Sequence, residues 1–158
     1  ALRKVGMWEF ASRVFTTLSG GEQQRVQLAR VLAQIWDAEQ GILFLDEPTN
    51  GLDLLHQHQM LDVAREFTDR GFCAIVILHD LNLAAQYADQ IIMLRSGQIA
   101  ATGTPKQVLT VETIRHVFNL NVWLVAHPEM DCPMVIPQQN QFTNQLKPSV
   151  SNDYSTRP

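Results

Sequence analysis

Long apolar runs are missing from this 158-residue chain. The longest, Ile42–Leu45 and Cys73–Leu78, fall far short of the ~20 residues that a membrane-spanning helix needs. Cysteine is scarce too. The two present, Cys73 and Cys132, exclude a disulfide framework, and Cys73, set in an apolar run, reads as a small core residue. A basic surplus is also lacking: 12 Lys and Arg against 16 Asp and Glu leave a net charge of −4. That balance excludes the basic stripe of a nucleic-acid binder and charge-driven docking on anionic lipid, so any membrane attachment should run through a protein partner. The opening Ala1-Leu2-Arg3-Lys4 is not followed by the apolar stretch of a secretory signal. It also lacks an initiating Met, so an upstream portion is expected, and the expected compartment is the cytoplasm.

What is present fits one globular domain with a core: 46% hydrophobic and 18% charged residues, with no internal repeat. Residues 22–36 read as an amphipathic helix, with Val26, Ala29, Leu32, Ala33 and Trp36 on the apolar face. After Gly41, the unalternating Ile42–Leu45 reads as a strand buried on both faces. Pro48 and Gly51 mark a loop, and Asp53 is placed to cap a second helix carrying Met60, Leu61, Ala64 and Phe67. Cys73–Leu78 is a second buried strand. Strand, helix, strand at this spacing is a βαβ unit with parallel strands, which sets the fold class as α/β. Further on, residues 80–88 read as helix, and Ile91–Leu94 and Ile99–Ala101 as a hairpin around Ser96-Gly97. Thr104-Pro105 and Thr110 open two short helices, and Val122–Ala126 is strand-like. From about residue 138 polar residues dominate, and the tail is expected to stay unordered.

Ligands of parallel α/β sheets gather at the carboxyl ends of the strands. The first strand ends Leu45-Asp46-Glu47 and the second Leu78-His79-Asp80, so two carboxylates and an imidazole are expected on one sheet edge. Asp46 suits Mg²⁺, Glu47 suits a general base acting on water, and His79 can donate to a phosphoryl oxygen. The bland alternative is a strand closed by turn formers. Leu18-Ser19-Gly20-Gly21-Glu22 stands directly before the first helix. Ser19 and Glu22 form a capping box, and the paired glycines add room for an anion at the exposed N–H groups of the helix start.

Together these segments resemble ATP-binding-cassette (ABC) proteins. Leu18–Arg25 is similar to the family's signature motif, Ile42–Thr49 to the Walker B strand with its catalytic glutamate, Asn50–Asp53 to the D-loop, and His79 to the switch histidine. All four stand in family order over roughly residues 1–137. The resemblance implies a P-loop NTPase-type parallel sheet flanked by helices, with residues 1–36 as helical signature region and 42–137 as part of the catalytic core. It implies ATP and Mg²⁺ as cofactors, with Asp46 holding the metal through water, Glu47 polarising the attacking water and His79 contacting the γ-phosphate. Ser19, Gly20 and Gly21 would meet the γ-phosphate of a nucleotide held by a second copy, and Asp53 would act across that head-to-tail interface. The implied partners are that second ATPase domain, a transmembrane permease and, indirectly, a periplasmic binding protein, with no nucleic acid. The implied location is the cytoplasmic face of the bacterial inner membrane.

Two departures stand out. Glu22 occupies a signature position where the family commonly has Gln, and the phosphate-binding loop G-x-x-x-x-G-K-[ST] has no counterpart, because no glycine here is followed by lysine. The chain is therefore expected to be a C-terminal fragment, inactive alone and lacking the strand that leads into that loop. That strand would run between Cys73–Leu78 and Ile91–Leu94, leaving the latter paired with Ile99–Ala101 only. His79–Ala84 and Gly103–Pro105 with Val108–Thr110 resemble importers of iron-siderophores, cobalamin and haem, and Arg25–Gln34 with Leu54–His58 most resemble the haemin importers. A chromosome-maintenance ATPase would need long heptad repeats, which are absent. A non-catalytic interaction module is the remaining alternative. His56 and His58, two apart on a helix, read as surface residues rather than ligands, and Trp8, Trp36 and Trp123 as core or interface residues.

Overall fold

The computed structural model describes residues 1–138, which form two compact units, Ala1–Asp80 and a second beginning at Leu81. The expectation of an unordered tail lies outside the described residues. No described helix is long and apolar enough to cross a membrane.

In the first unit, short 3-10 turns at Trp8–Phe10 and Phe15–Thr17 lead into helix α1 (Gly20–Ile35), strand β1 (Gly41–Asp46), helix α2 (Leu54–Asp69) and strand β2 (Phe72–Ile77). The α1 start is the expected capping box: the Ser19 N–H donates to Glu22 Oε2 at 2.7 Å, and the Glu22 N–H to Ser19 Oγ at 3.4 Å. Asp53 caps α2 by accepting from the His56 N–H at 3.0 Å. Helix α2 gives way at Gly71, whose φ of +99° suits glycine, and β2 follows at once. The crossover makes β1 and β2 parallel, in register from Gly41 opposite Phe72 to Asp46 opposite Ile77. The sheet edge that ends in Asp46 is therefore the edge that ends in Ile77.

One core holds this unit together, built from Leu28, Ala29 and Leu32 of α1, Leu43 and Leu45 of β1, Met60, Val63, Ala64 and Phe67 of α2, and Phe72. Full burial of an aliphatic or aromatic side chain of this size contributes about 1.5–3 kcal/mol. Phe67 packs edge-on against both Trp36 and Phe72, and Arg70 lies over its ring while donating to the Trp36 carbonyl at 2.8 Å. These contacts join the ends of the two helices.

Three expectations need correction here. β1 and β2 are buried on one face only: Leu43 and Leu45 are covered, whereas Ile42, Phe44, Ile75 and Ile77 are exposed. A run without alternation does not report which face is covered, because apolar residues stand on both. Cys73, on the open face, is exposed rather than core. The buried stripe of α1 runs through Leu28 rather than Ala33 and Trp36, and Trp8, Trp36 and Trp123 are all substantially exposed, which removes the core reading of the tryptophans and leaves the interface one.

The second unit is built from helix α3 (Leu81–Tyr87), β3 (Ile91–Arg95), β4 (Gln98–Gly103), α4 (Pro105–Val108), α5 (Val111–Phe118), β5 (Val122–Ala126) and β6 (Pro133–Pro137). β3 and β4 pair antiparallel across Ser96 and Gly97, both at positive φ as a tight hairpin turn requires. β5 pairs antiparallel with β6, a strand the sequence reading missed. Prolines at both ends of β6 hide it: a strand tolerates them only at its ends and on an edge. The described strands thus form three two-stranded sheets, and β3 pairs with β4 alone, as the expected strand order requires. A separate core of Ala85, Met93, Val108, Leu109, Ile114, Val122, Cys132 and Val135 fills this unit.

Candidate functional site

Because β1 and β2 are parallel and in register, the residues that follow them meet. Glu47 and His79 are 32 positions apart in sequence, yet His79 Nε2 and Glu47 Oε1 lie 2.6 Å apart. Glu47 sits at φ +47°, a left-handed conformation that costs a non-glycine residue of order 1–3 kcal/mol and persists only where its surroundings hold it. They do hold it. Asn50 Nδ2 donates to Oε2 at 3.3 Å, the Asn50 N–H donates to the Glu47 carbonyl at 3.1 Å, and Gln24 Nε2 of α1 donates to the same carbonyl at 3.0 Å. Each carboxylate oxygen accepts more than one hydrogen bond, so Glu47 can hold these partners and still accept from a water. His79 is exposed, and Asp46, next to Glu47 in the chain, is exposed too.

Ser19, Gly20 and Gly21 stand at the start of α1, where the helix dipole and unpaired N–H groups favour an anion. The two glycines differ. A side chain at Gly20 would enter open space, whereas a Cβ at Gly21 would come within 3.1 Å of Leu52 Cδ2 and 3.7 Å of the Gly51 carbonyl. Gly21 therefore lets α1 lie against the 50–53 loop. Two carboxylates here are depressed below their ordinary range. For Glu22 the cause is first the Ser19 N–H and then its hydroxyl; for Asp53 it is first the His56 N–H and then the His56 ring. That ring sits with Nδ1 2.7 Å from Asp53 Oδ1.

The structure therefore brings Glu47 and His79 together, sets Asp46 beside them, and puts Ser19, Gly20 and Gly21 at the start of the helix that packs on their loop. Gln24, Asn50 and His56 were missed. Asn50 and His56 each stand three residues after the carboxylate they touch, a spacing that turn and capping geometry make recognisable. Gln24 carries no such local signal, because its partner is 23 residues away.

Residues 1–50 match the family model described as ABC transporter. Over those residues the chain is similar to the ATP-binding-cassette family. Its relatives include the hemin import ATP-binding protein HmuV of Gloeobacter violaceus, 52% identical over 140 residues that cover 87% of this chain and 51% of that protein. HmuV of Photobacterium damsela subsp. piscicida is 51% identical over 134 residues, covering 84% and 51%. The chain spans about half the length of the curated relatives it matches. Among solved structures, an inward-facing metal-chelate type ABC transporter aligns at a TM-score of 0.72 and 24% identity over 89% of this chain and 55% of that one, a likeness that supports the α/β fold.

The family implies ATP and Mg²⁺. No group of three or more His, Cys, Asp or Glu forms a metal cage among the described residues. Mg²⁺ does not need one: it keeps several waters, and it takes one or two carboxylates alongside the phosphates of its substrate. The accessible carboxylate of Asp46 fits that donor set.

Proposed function

We propose that this chain is part of the ATP-hydrolysing subunit of an importer for haem or a related iron chelate. Residues 1–137 are read as part of one ATPase domain, with 1–36 its helical signature region and 42–137 part of its catalytic core. The observation that carries the reading is the 2.6 Å approach of His79 to a strained, fully held Glu47 at the carboxyl ends of two parallel strands. A surface turn has no use for such strain, whereas a group that must be aimed at a reacting water does.

Mg²⁺ bound with ATP would neutralise charge on the phosphates, and Asp46 would hold it through water. Glu47 orients the attacking water and accepts its proton at a carboxylate oxygen. His79 donates from its ring to the γ-phosphate and fixes Glu47 until substrate arrives. Ser19, Gly20 and Gly21 dock the γ-phosphate of a nucleotide held by a second copy of the domain, and Asp53 faces that copy. The cargo assignment rests on the similarity to hemin import proteins, because none of these residues touches a cargo. The further partners are a transmembrane permease and, through it, a periplasmic binding protein, with the ATPase on the cytoplasmic face of the inner membrane.

Glu47→Gln in the ATPase that contains this sequence tests the reading. It should cut turnover by about 10²- to 10⁴-fold and leave ATP binding intact, since Gln keeps the shape and loses the proton acceptor. Equal loss of binding and turnover would make Glu47 structural. His79→Ala should also lower turnover. The 158-residue chain itself, in which no glycine precedes lysine, should release phosphate only at background. Release that Glu47→Gln abolishes would overturn that expectation.

A further inference from the structure

We infer that Gln24 is a positioning residue for Glu47: from helix α1, its side-chain amide holds the backbone of the glutamate in the orientation that aims its carboxylate. The inference rests on the proposed role of Glu47 and adds a residue to it.

The local bonds around Glu47 come from two directions. Asn50 and His79 grip the carboxylate itself, at Oε2 and Oε1. The peptide that follows Glu47 is fixed separately, through its carbonyl. That carbonyl accepts from the Asn50 N–H, which belongs to the same turn and moves with it, and from Gln24 Nε2, which does not. Gln24 stands in the second turn of α1, a helix seated in the core through Leu28, Ala29 and Leu32. Among the described residues it is the one hydrogen bond from another element to the Glu47 backbone. A left-handed glutamate relaxes by rotating its flanking peptides, and rotation of the following peptide swings this carbonyl away. Gln24 resists that rotation from a rigid support, a role that neither Asn50 nor His79 can fill. Gln24 also lies three residues beyond Gly21, whose lack of a side chain lets α1 lie against Leu52. The helix whose start is proposed to dock a phosphate and the glutamate of the same chain therefore share a rigid link.

The test uses Gln24→Met, which keeps length and helix propensity and removes the donor, and Gln24→Glu, which turns an acceptor toward the carbonyl. Turnover is measured in the assembled transporter with ATP. We expect kcat to fall about tenfold in Gln24→Met, the factor carried by one ordinary hydrogen bond, and at least as far in Gln24→Glu, with KM for ATP unchanged. In a Glu47→Gln background Gln24→Met should cost nothing further, because its effect passes through the carboxylate that is already gone. A full multiplicative loss in that background, or wild-type kcat in both variants, overturns the inference while leaving the role of Glu47 standing. Unimpaired turnover in Glu47→Gln alone removes the functional reading itself. A readout that needs no turnover covers a variant that folds poorly: in the 158-residue chain, Gln24→Met should speed amide exchange at Asn50 and leave Leu43 and Leu45 as they were. Equal acceleration at all three would reduce Gln24 to a packing residue and overturn the inference.

Discussion

The parallel pair β1–β2 and the antiparallel pairs β3–β4 and β5–β6 use their connections differently. The hairpin strands are joined through short links, and the ends that meet are neighbours in sequence. The parallel pair needs the whole of α2 as crossover, and the reward is positional: two carboxyl ends arrive side by side, carrying Asp46, Glu47 and His79. Every proposed site residue falls in the first unit for that reason. The comparison teaches that a reactive cluster drawn from distant positions needs the long connection, whereas short links supply stable scaffold at low contact order.

The sharpest way to break the comparison is to hollow each core in turn. Leu43, in β1, and Ile114, in α5, are both almost completely buried, and each change to Ala should cost about 2–5 kcal/mol. If the two cores are energetically separate, the double variant should lose the sum to within about 0.5 kcal/mol in denaturant unfolding. Coupling well above that would merge the units into one.

A smaller effect compares two N-caps of similar geometry. Ser19 caps α1 and Thr110 caps α5, where Thr110 Oγ1 accepts from the Thr113 N–H at 3.1 Å. Ser19→Ala and Thr110→Ala should each cost about 1 kcal/mol of stability. Only Ser19→Ala should weaken ATP-driven association of the ATPase, measured by gel filtration. Equal effects of the two on association would reduce the α1 start to a cap.

The smallest effect concerns pH. Glu22 and Asp53, both in the first unit, are depressed by capping bonds. Their stabilisation is fully present above the ordinary carboxylate range and fades as pH falls through it toward the lower folded values. Asp53→Asn keeps a capping oxygen and removes one titration, so its stability should fall less steeply on acidification. An unchanged slope would show that the Asp53 cap contributes nothing measurable.

The sequence was most readable where chemistry and backbone speak together. Ser19 and Glu22 announce a helix start, Asp53 another, Ser96-Gly97 a turn, and the apolar runs place both parallel strands within a residue of their observed bounds. What stayed hidden depends on tertiary packing. Ile42 and Leu43 are equally apolar, yet one is open and the other covered, because α1 and α2 lie against one face. Gln24 looks like any polar helix residue until the fold brings Glu47 to it. β6 was obscured by its own prolines.

The open face of β2 has a practical consequence. Cys73 shares that face with Ile75 and Ile77 and is exposed, whereas Cys132 is buried in the second unit. A maleimide offered to the folded chain should therefore modify one thiol quickly and the other slowly, without any engineered cysteine. Labelling kinetics at Cys73 then report on that face from within: whatever comes to rest on the strand slows the reaction there, and Cys132 serves as the internal reference for unfolding.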